Sequence, residues 1–133
     1  MPASAVPLTG STDELAVESR RLVAGSRRWP PSVWRRSVGG ASVADLMYDL
    51  AVALTAAAQL LEAGPGAAAP PAPRVPARPP YPGALSDHVA VTAHDLVTAL
   101  RAARPGQRYA GRAVEEVAAE ALAGVRLVRR VAS

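Results

Sequence analysis

The residues best suited to recognise a partner lie within ten positions of one another, in the sequence RRWPPSVWRR at positions 27–36. Tryptophan and arginine are enriched at the energetic centres of protein interfaces. Arginines can also bind phosphates while a tryptophan stacks on a base. Alternatively, the two rings could hold a short helix against the rest of the protein. The candidate partner-binding residues are Arg27, Arg28, Trp29, Trp34, Arg35 and Arg36.

A second pattern is His94 followed by Asp95, on a segment with helical periodicity. It resembles the H-box of two-component phosphotransfer helices, in which a histidine followed by an acid is phosphorylated. The resemblance covers about seven residues and implies a phospho-acceptor role for His94. We place this role third among the functional hypotheses, behind binding of a protein and binding of nucleic acid.

Other reactive groupings are sparse. Asp45 and Asp49 are four positions apart and could share a helix face, but no Glu-x-x-His pattern of a carboxylate metal site accompanies them. His88 and His94 are six apart, which is not the spacing of a two-histidine site on one helix. The chain has no cysteine and no Gly-x-Ser-x-Gly nucleophile motif. We therefore expect no catalytic residue, no metal and no cofactor, and favour a non-enzymatic protein.

The composition limits what can be concluded from charge. The 133 residues include thirty alanines and fifteen arginines but no Lys, Asn, Ile, Phe or Cys, which indicates a GC-rich, actinobacterial-like genome. Because lysine codons are disfavoured there, the net charge of +4 is weak support for nucleic-acid binding. The N-terminal residues do not read as a signal peptide, and the uncharged run 50–61 is shorter than a bilayer requires. We expect a cytoplasmic protein with no membrane contact.

Five helices would position these residues. The strongest pattern runs from Ser42 to Glu62, with Ser42 and Asp45 forming a capping box and apolar residues recurring at helical spacing. A first helix should open at a second capping box, Ser11 to Glu14, after a flexible terminus at 1–10. The other predicted helices are a short one from Pro31, one from Ser86 to Ala103, and one from about Arg112 to the end of the chain.

Between the third and fourth helices, residues 64–84 hold eight of the thirteen prolines. We interpret this segment as a linker with polyproline II character, long enough to return the next helix either parallel or antiparallel. The short connection at Pro105 predicts that the last two helices form an antiparallel hairpin. The sequence at 48–54 also faintly echoes that at 94–100, as an internal repeat would.

These observations predict one all-α domain over 1–133, an up-and-down helical bundle of about four main helices plus a short helix. We interpret it as a non-enzymatic protein–protein interaction module: an adaptor, regulator or assembly component. Its core of alanine and valine buries little area per residue, so self-association is a further expectation. The alternative is a nucleic-acid-binding regulator using residues 27–36, disfavoured because Glu115 and Glu116 open the only helix placed to read DNA.

Overall fold

The structure, a computed structural model, describes residues 7–68 and 74–133. Helix predominates, which confirms the all-α prediction, and two very short β-hairpins accompany it. The helices are α1 (Leu8–Ser26), α2 (Pro31–Trp34), α3 (Val43–Glu62), α4 (Ala84–Ala102) and α5 (Val114–Ala132), and the strands are β1 (Ser37–Val38), β2 (Ala41–Ser42), β3 (Arg108–Tyr109) and β4 (Arg112–Ala113). Residues 1–6, in the predicted flexible terminus, and 69–73, in the predicted linker, lie outside the described range.

The start of α3 is as predicted. The backbone N–H of Asp45 donates to Ser42 Oγ at 3.0 Å, and the N–H of Ser42 donates to Asp45 Oδ2 at 2.9 Å. This reciprocal pair satisfies two of the backbone donors that a helix start leaves without partners. The hydrogen bond from the Ser42 backbone, followed by the guanidinium of Arg78, lowers the pKa of Asp45 below its ordinary value.

The start of α1 was predicted wrongly. The helix begins at Leu8, about one turn before the proposed capping box, and Ser11 is a buried residue inside it. The N–H of Ser11 donates to the carbonyl of Pro7 at 3.1 Å, and the hydroxyl of Thr12 donates to the carbonyl of Leu8 at 2.7 Å. The hydroxyl of Thr12 is therefore satisfied by the helix itself, which allows this polar residue to be buried without an external partner.

Small hydroxyl residues also form part of the contact between α1 and α4. Ser19 is buried and donates to the carbonyl of Leu15 at 2.7 Å. Near the end of α1, the hydroxyls of Ser26 and Ser86 lie 2.7 Å apart and both residues are buried. Since these side chains are short, the two helices can approach closely along this line.

The two hairpins share one design that the sequence reading missed. In the first, Ser37 pairs with Ser42 around Gly39 and Gly40, and in the second, Arg108 pairs with Ala113. Both central residues of each turn have positive φ: 57° and 88° at Gly39 and Gly40 and 48° and 82° at Ala110 and Gly111. This is the backbone of a type I′ turn, which matches the twist of the strands that it joins.

Each hairpin leads directly into a long helix, and the two starts are equivalent. The N–H of Val43 donates to the carbonyl of Arg36 and that of Val114 to the carbonyl of Gln107, both at 2.9 Å. Both valines are fully buried. The chain therefore contains two copies of a helix–hairpin–helix unit, in which α1 corresponds to α4 and α3 to α5. The sequence similarity between 48–54 and 94–100 relates α3 to α4. Because α3 corresponds to α5 in the two units, this similarity does not mark the structural repeat.

Each long helix packs against two others in the described part of the chain. Helix α1 contacts α4 and α5, and α3 contacts the same two, with the most extensive contact between α3 and α4. Helices that follow each other, α1 with α3 and α4 with α5, make at most marginal contact. The expected antiparallel hairpin of the last two helices is therefore wrong, because the β3–β4 turn carries the chain diagonally across one end.

The directions of the helices follow from paired contacts. Asp13 lies 3.5 Å from Arg101 and Arg27 lies 3.0 Å from Asp87, so α1 and α4 are antiparallel. Ion pairs from Glu14 to Arg126 and from Glu18 to Arg129 show that α1 and α5 run in the same direction. Burial raises the pKa of Glu18, but the hydrogen bond and charge of Arg129, together with the charges of Arg21 and Arg126, lower it by more, so the pKa lies below its ordinary value.

The second half of the Pro-rich segment lies along α3. The Gln59 side chain exchanges two 2.9 Å hydrogen bonds with the backbone of Arg74. Further along, the Tyr48 hydroxyl donates to the carbonyl of Pro76 at 3.3 Å, and Arg78 pairs with Asp45 at 2.6 Å. Residues 74–78 thus run from the end of α3 back towards its start, and we call them the strap. Because the strap brings the chain back to the start of α3 before α4 begins, α3 and α4 are parallel.

The two turns provide a matched stability test. Ala110 has φ of 48°, a conformation that costs an L-residue about 1–2 kcal/mol, whereas Gly39 occupies the same turn position without that cost. Ala110→Gly should raise the free energy of unfolding by about 0.5–1 kcal/mol, after the greater flexibility of unfolded glycine is counted. Chemical denaturation monitored by circular dichroism would measure it.

The reverse change, Gly39→Ala, is the control. A Cβ at Gly39 would meet no atom within 4 Å, so the substitution adds backbone strain without a clash. It should lower the free energy of unfolding by about 1 kcal/mol. Equal effects of the two substitutions, in sign as well as size, would contradict the type I′ assignment of the second turn.

The capping acid predicts a pH dependence. Because the pKa of Asp45 is lowered by folding, its contribution to stability is complete above its unfolded pKa, about 3.9, and is lost as the pH falls through the folded value. Asp45→Asn should therefore lower the melting temperature at pH 7. The difference from wild type should shrink as the pH falls below about 3.9, because Asp45 then takes up protons more readily in the unfolded chain than in the folded one, and a constant difference from pH 7 to pH 3 would contradict this assignment.

Candidate interaction surface

The two tryptophans of the predicted site contact each other. Their ring centroids are 4.8 Å apart with the planes at 69°, an edge-to-face arrangement. Trp34 is only 6% exposed and belongs to the core, while Trp29 is half-buried against it. The chain has no phenylalanine, so these rings are the largest apolar groups available to close this part of the core.

The four arginines of the predicted site go to different places. Arg27 pairs with Asp87, and Arg36 donates to the carbonyls of Val131 and Ser133, at 3.1 and 3.0 Å, where α5 ends. Cations at a helix C-terminus are stabilising because the last carbonyls carry partial negative charge. Arg28 and Arg35 are exposed and form no ion pair within residues 7–68 and 74–133. Of the six predicted residues, Arg27, Trp34 and Arg36 are therefore engaged within the protein, whereas Arg28 and Arg35 are exposed and Trp29 keeps part of its surface exposed.

A large apolar groove lies between α3 and α5, with a volume of about 550 Å³. We call it the α3/α5 groove. Its lining residues are mainly small or aliphatic: Leu50, Ala53, Leu54, Ala56, Ala57, Leu60, Ala110, Arg112, Val117, Glu120, Ala121 and Gly124. Gly124 brings the helices close, because a Cβ there would lie 3.2 Å from Leu50 Cδ1. The two charged lining residues, Arg112 and Glu120, form an ion pair with each other.

The groove is open because α3 is incompletely covered. By length and composition alone, α3 would be apolar enough to cross a membrane, a property that the central helix of a soluble domain can share. Only 44% of its apolar window is buried, although α4, α5 and the strap all lie against it. The sequence contained this signal, since α3 is apolar on nearly every side. It did not reveal which side stays uncovered.

A smaller groove, of about 400 Å³, lies between α1 and α4 on the side opposite the α3/α5 groove. We call it the α1/α4 groove. Its floor is formed by alanine and valine side chains and its edges by Arg20, Arg27, Arg101 and His94. His94, the residue of the phosphotransfer resemblance, is exposed here, and no hydrogen bond to it is found among the described residues. Sequence reasoning missed this grouping because its cations come from both helices.

The placement of the tryptophans predicts a structural effect that can be measured separately from binding. Trp34→Ala should lower the free energy of unfolding by about 3–5 kcal/mol, because it removes a large buried ring. Arg28→Gln, in the same segment, should change it by less than about 0.5 kcal/mol. Urea denaturation of both variants would check this, and equal losses would contradict the burial of Trp34.

Neither a metal-binding cluster in the described ranges nor a known relative assigns a function to these surfaces. No group of three or more His, Cys, Asp or Glu residues that could hold a metal ion is present in the described ranges. Comparison with known proteins gives no match to any family model, curated protein or solved structure. The residues and their geometry are therefore the basis for a functional proposal.

Proposed function

We propose that this chain is a non-enzymatic helical interaction module that self-associates through the α3/α5 groove. In this proposal the four long helices form one bundle-type domain, and the uncovered side of α3 is its contact surface. The observation that carries the proposal is the incomplete burial of the most apolar helix. A contiguous apolar patch on a protein surface commonly marks a site of association.

The shape of the groove suits a helix from another molecule. Ala53, Ala56 and Ala57 leave the surface of α3 shallow, and Ala121 and Gly124 do the same on α5. Small side chains allow two helix backbones to approach closely, so that dispersion contacts form along the whole line of contact. Leu60 at one end provides a larger apolar side chain to anchor the contact.

The charge pattern favours a second copy as the occupant. A two-fold contact places a patch against itself, so the patch must not repel itself. The α3/α5 groove meets this condition because Arg112 and Glu120 neutralise each other. Asp49 is exposed, and its helical spacing places it on the same face of α3 as Ala53, Ala56 and Leu60. It lies at the end of the α3/α5 groove opposite Arg112. A two-fold axis at the centre would bring Asp49 of each copy towards Arg112 of the other.

The nucleic-acid alternative has less support in the geometry. Of the arginines at 27–36, Arg27 and Arg36 are engaged within the protein, and Trp34 is buried where no base could stack on it. Exposed Arg28 and Arg35 remain as phosphate contacts. Because both the affinity for nucleic acid and its salt dependence rise with the number of phosphates neutralised, two arginines would give weak binding with a shallow salt dependence.

Self-association can be tested with two alanines exposed on different helix faces. Ala53 lines the groove, whereas Ala123 is on α5 and is not part of the lining. Sedimentation velocity from about 1 to 200 µM should show a wild-type dimer. Ala53→Glu should weaken the dimer at least tenfold, because each copy would bury an unpaired carboxylate at the contact.

Ala123→Glu introduces the same charge at a solvent-facing helix position and should leave the dimer unchanged. Circular dichroism melting of both variants would show that the fold is kept. A wild-type protein that stays monomeric over the whole range would overturn the proposal. Equal weakening by the two substitutions would place the contact outside the α3/α5 groove.

A further inference from the structure

We propose that the α1/α4 groove is a binding site for a small organic anion, a carboxylate carried on an apolar body. The site is separate from the α3/α5 groove, so it does not depend on self-association. Its volume of about 400 Å³ lies within the range of ligand pockets in proteins. The lining combines an apolar floor with cationic edges, which is the complement of an amphipathic anion.

The floor supplies the apolar contact. Ala16 and Val23 of α1 face Ala90, Ala93 and Val97 of α4 along the groove. The lining on α4 extends from residue 90 to residue 101, about 16 Å at 1.5 Å per residue. Since these side chains are small, they leave a depression between the two helices, and an alkyl chain or ring placed there would be removed from water.

The two ends of the groove are crossed by ion pairs. Arg27 of α1 reaches Asp87 of α4 at 3.0 Å, and at the other end Arg101 of α4 reaches Asp13 of α1 at 3.5 Å. Each pair connects the two helices and is locally neutral. A long partner helix lying in the groove would have to displace both pairs, whereas a small molecule fits between them. This is why the geometry favours a small ligand over a peptide.

The middle of the groove carries the uncompensated positive charge. Arg20 of α1 and His94 of α4 both line it, and no acidic side chain is among its lining residues. Arg20 forms neither an ion pair nor a side-chain hydrogen bond within the described part of the chain. A guanidinium offers two parallel N–H donors that match a carboxylate. The anionic group of the ligand would therefore bind at Arg20, with His94 as a second donor.

Octanoate, with 1-octanol as its uncharged counterpart, is a suitable probe. In two-dimensional ¹H–¹⁵N NMR titrations, octanoate should give saturable shifts at amides of α1 and α4 around Arg20 and Ala93. The wild-type protein should bind 1-octanol at least tenfold more weakly, because a charge-assisted hydrogen bond is lost. This comparison requires no variant, so it stands even if a substitution disturbs the fold.

Two substitutions then locate the site. Arg20→Gln should weaken octanoate binding at least tenfold, whereas Arg28→Gln, which removes an exposed arginine outside the groove, should not. Ala90→Leu should also abolish the shifts by filling the floor. Equal binding of octanoate and 1-octanol, equal effects of the two arginine substitutions, shifts centred on α3 and α5, or no saturation up to about 10 mM would each overturn the proposal.

Discussion

The structure depends on one constraint: within each helix–hairpin–helix unit, the connection between the two long helices crosses the end of the domain diagonally. The tight type I′ hairpins and the buried valines behind them, Val43 and Val114, fix where α3 and α5 begin. As a result, the two long helices within one unit make at most marginal contact, and every major helix–helix contact in the described part of the chain joins the first helix–hairpin–helix unit to the second. Neither unit can bury its apolar faces alone, so the core forms only when both are present.

This arrangement explains why a Pro-rich segment joins the two units. Because α3 and α4 are parallel, the chain must travel back along the length of α3 before α4 can start. Proline cannot continue a helix and favours the extended polyproline II conformation, which covers that distance in few residues. Tyr48, Gln59 and Asp45 hold the returning strap on one side of α3. The strap, α4 and α5 still leave the α3/α5 side open, so the path of the connection determines which apolar surface remains available for association.

What could be predicted from the sequence was local. The Ser42–Asp45 capping box and the apolar stripe of α3 depend on residues within one turn of each other, so they were found. The hairpins could not be found from alternation, because strands of two residues are too short to show it, and Ala110 is not a residue that signals positive φ. The start of α1 was missed because Ser11 has the side chain of a cap but lies buried in the helix. The pairing of α4 was missed because a short connection was assumed to join neighbours.

The candidate sites show the same division between local pattern and tertiary placement. Residues 27–36 stand out by composition, yet Trp34 packs in the core and Arg36 binds the end of α5, so both of these residues have a structural role that composition alone did not reveal. The two grooves are assembled from helices far apart in sequence, and no short motif marks them. The α1/α4 groove and the α3/α5 groove lie on opposite sides of the four long helices. A dimer formed through the α3/α5 groove would therefore leave the α1/α4 groove of each copy facing solvent. Association through the α3/α5 groove and ligand binding in the α1/α4 groove are therefore compatible in the same assembly. Since α1 makes at most marginal contact with α3, a ligand that draws α1 against α4 could affect the dimer contact only through α4 and α5, which pack against both α1 and α3.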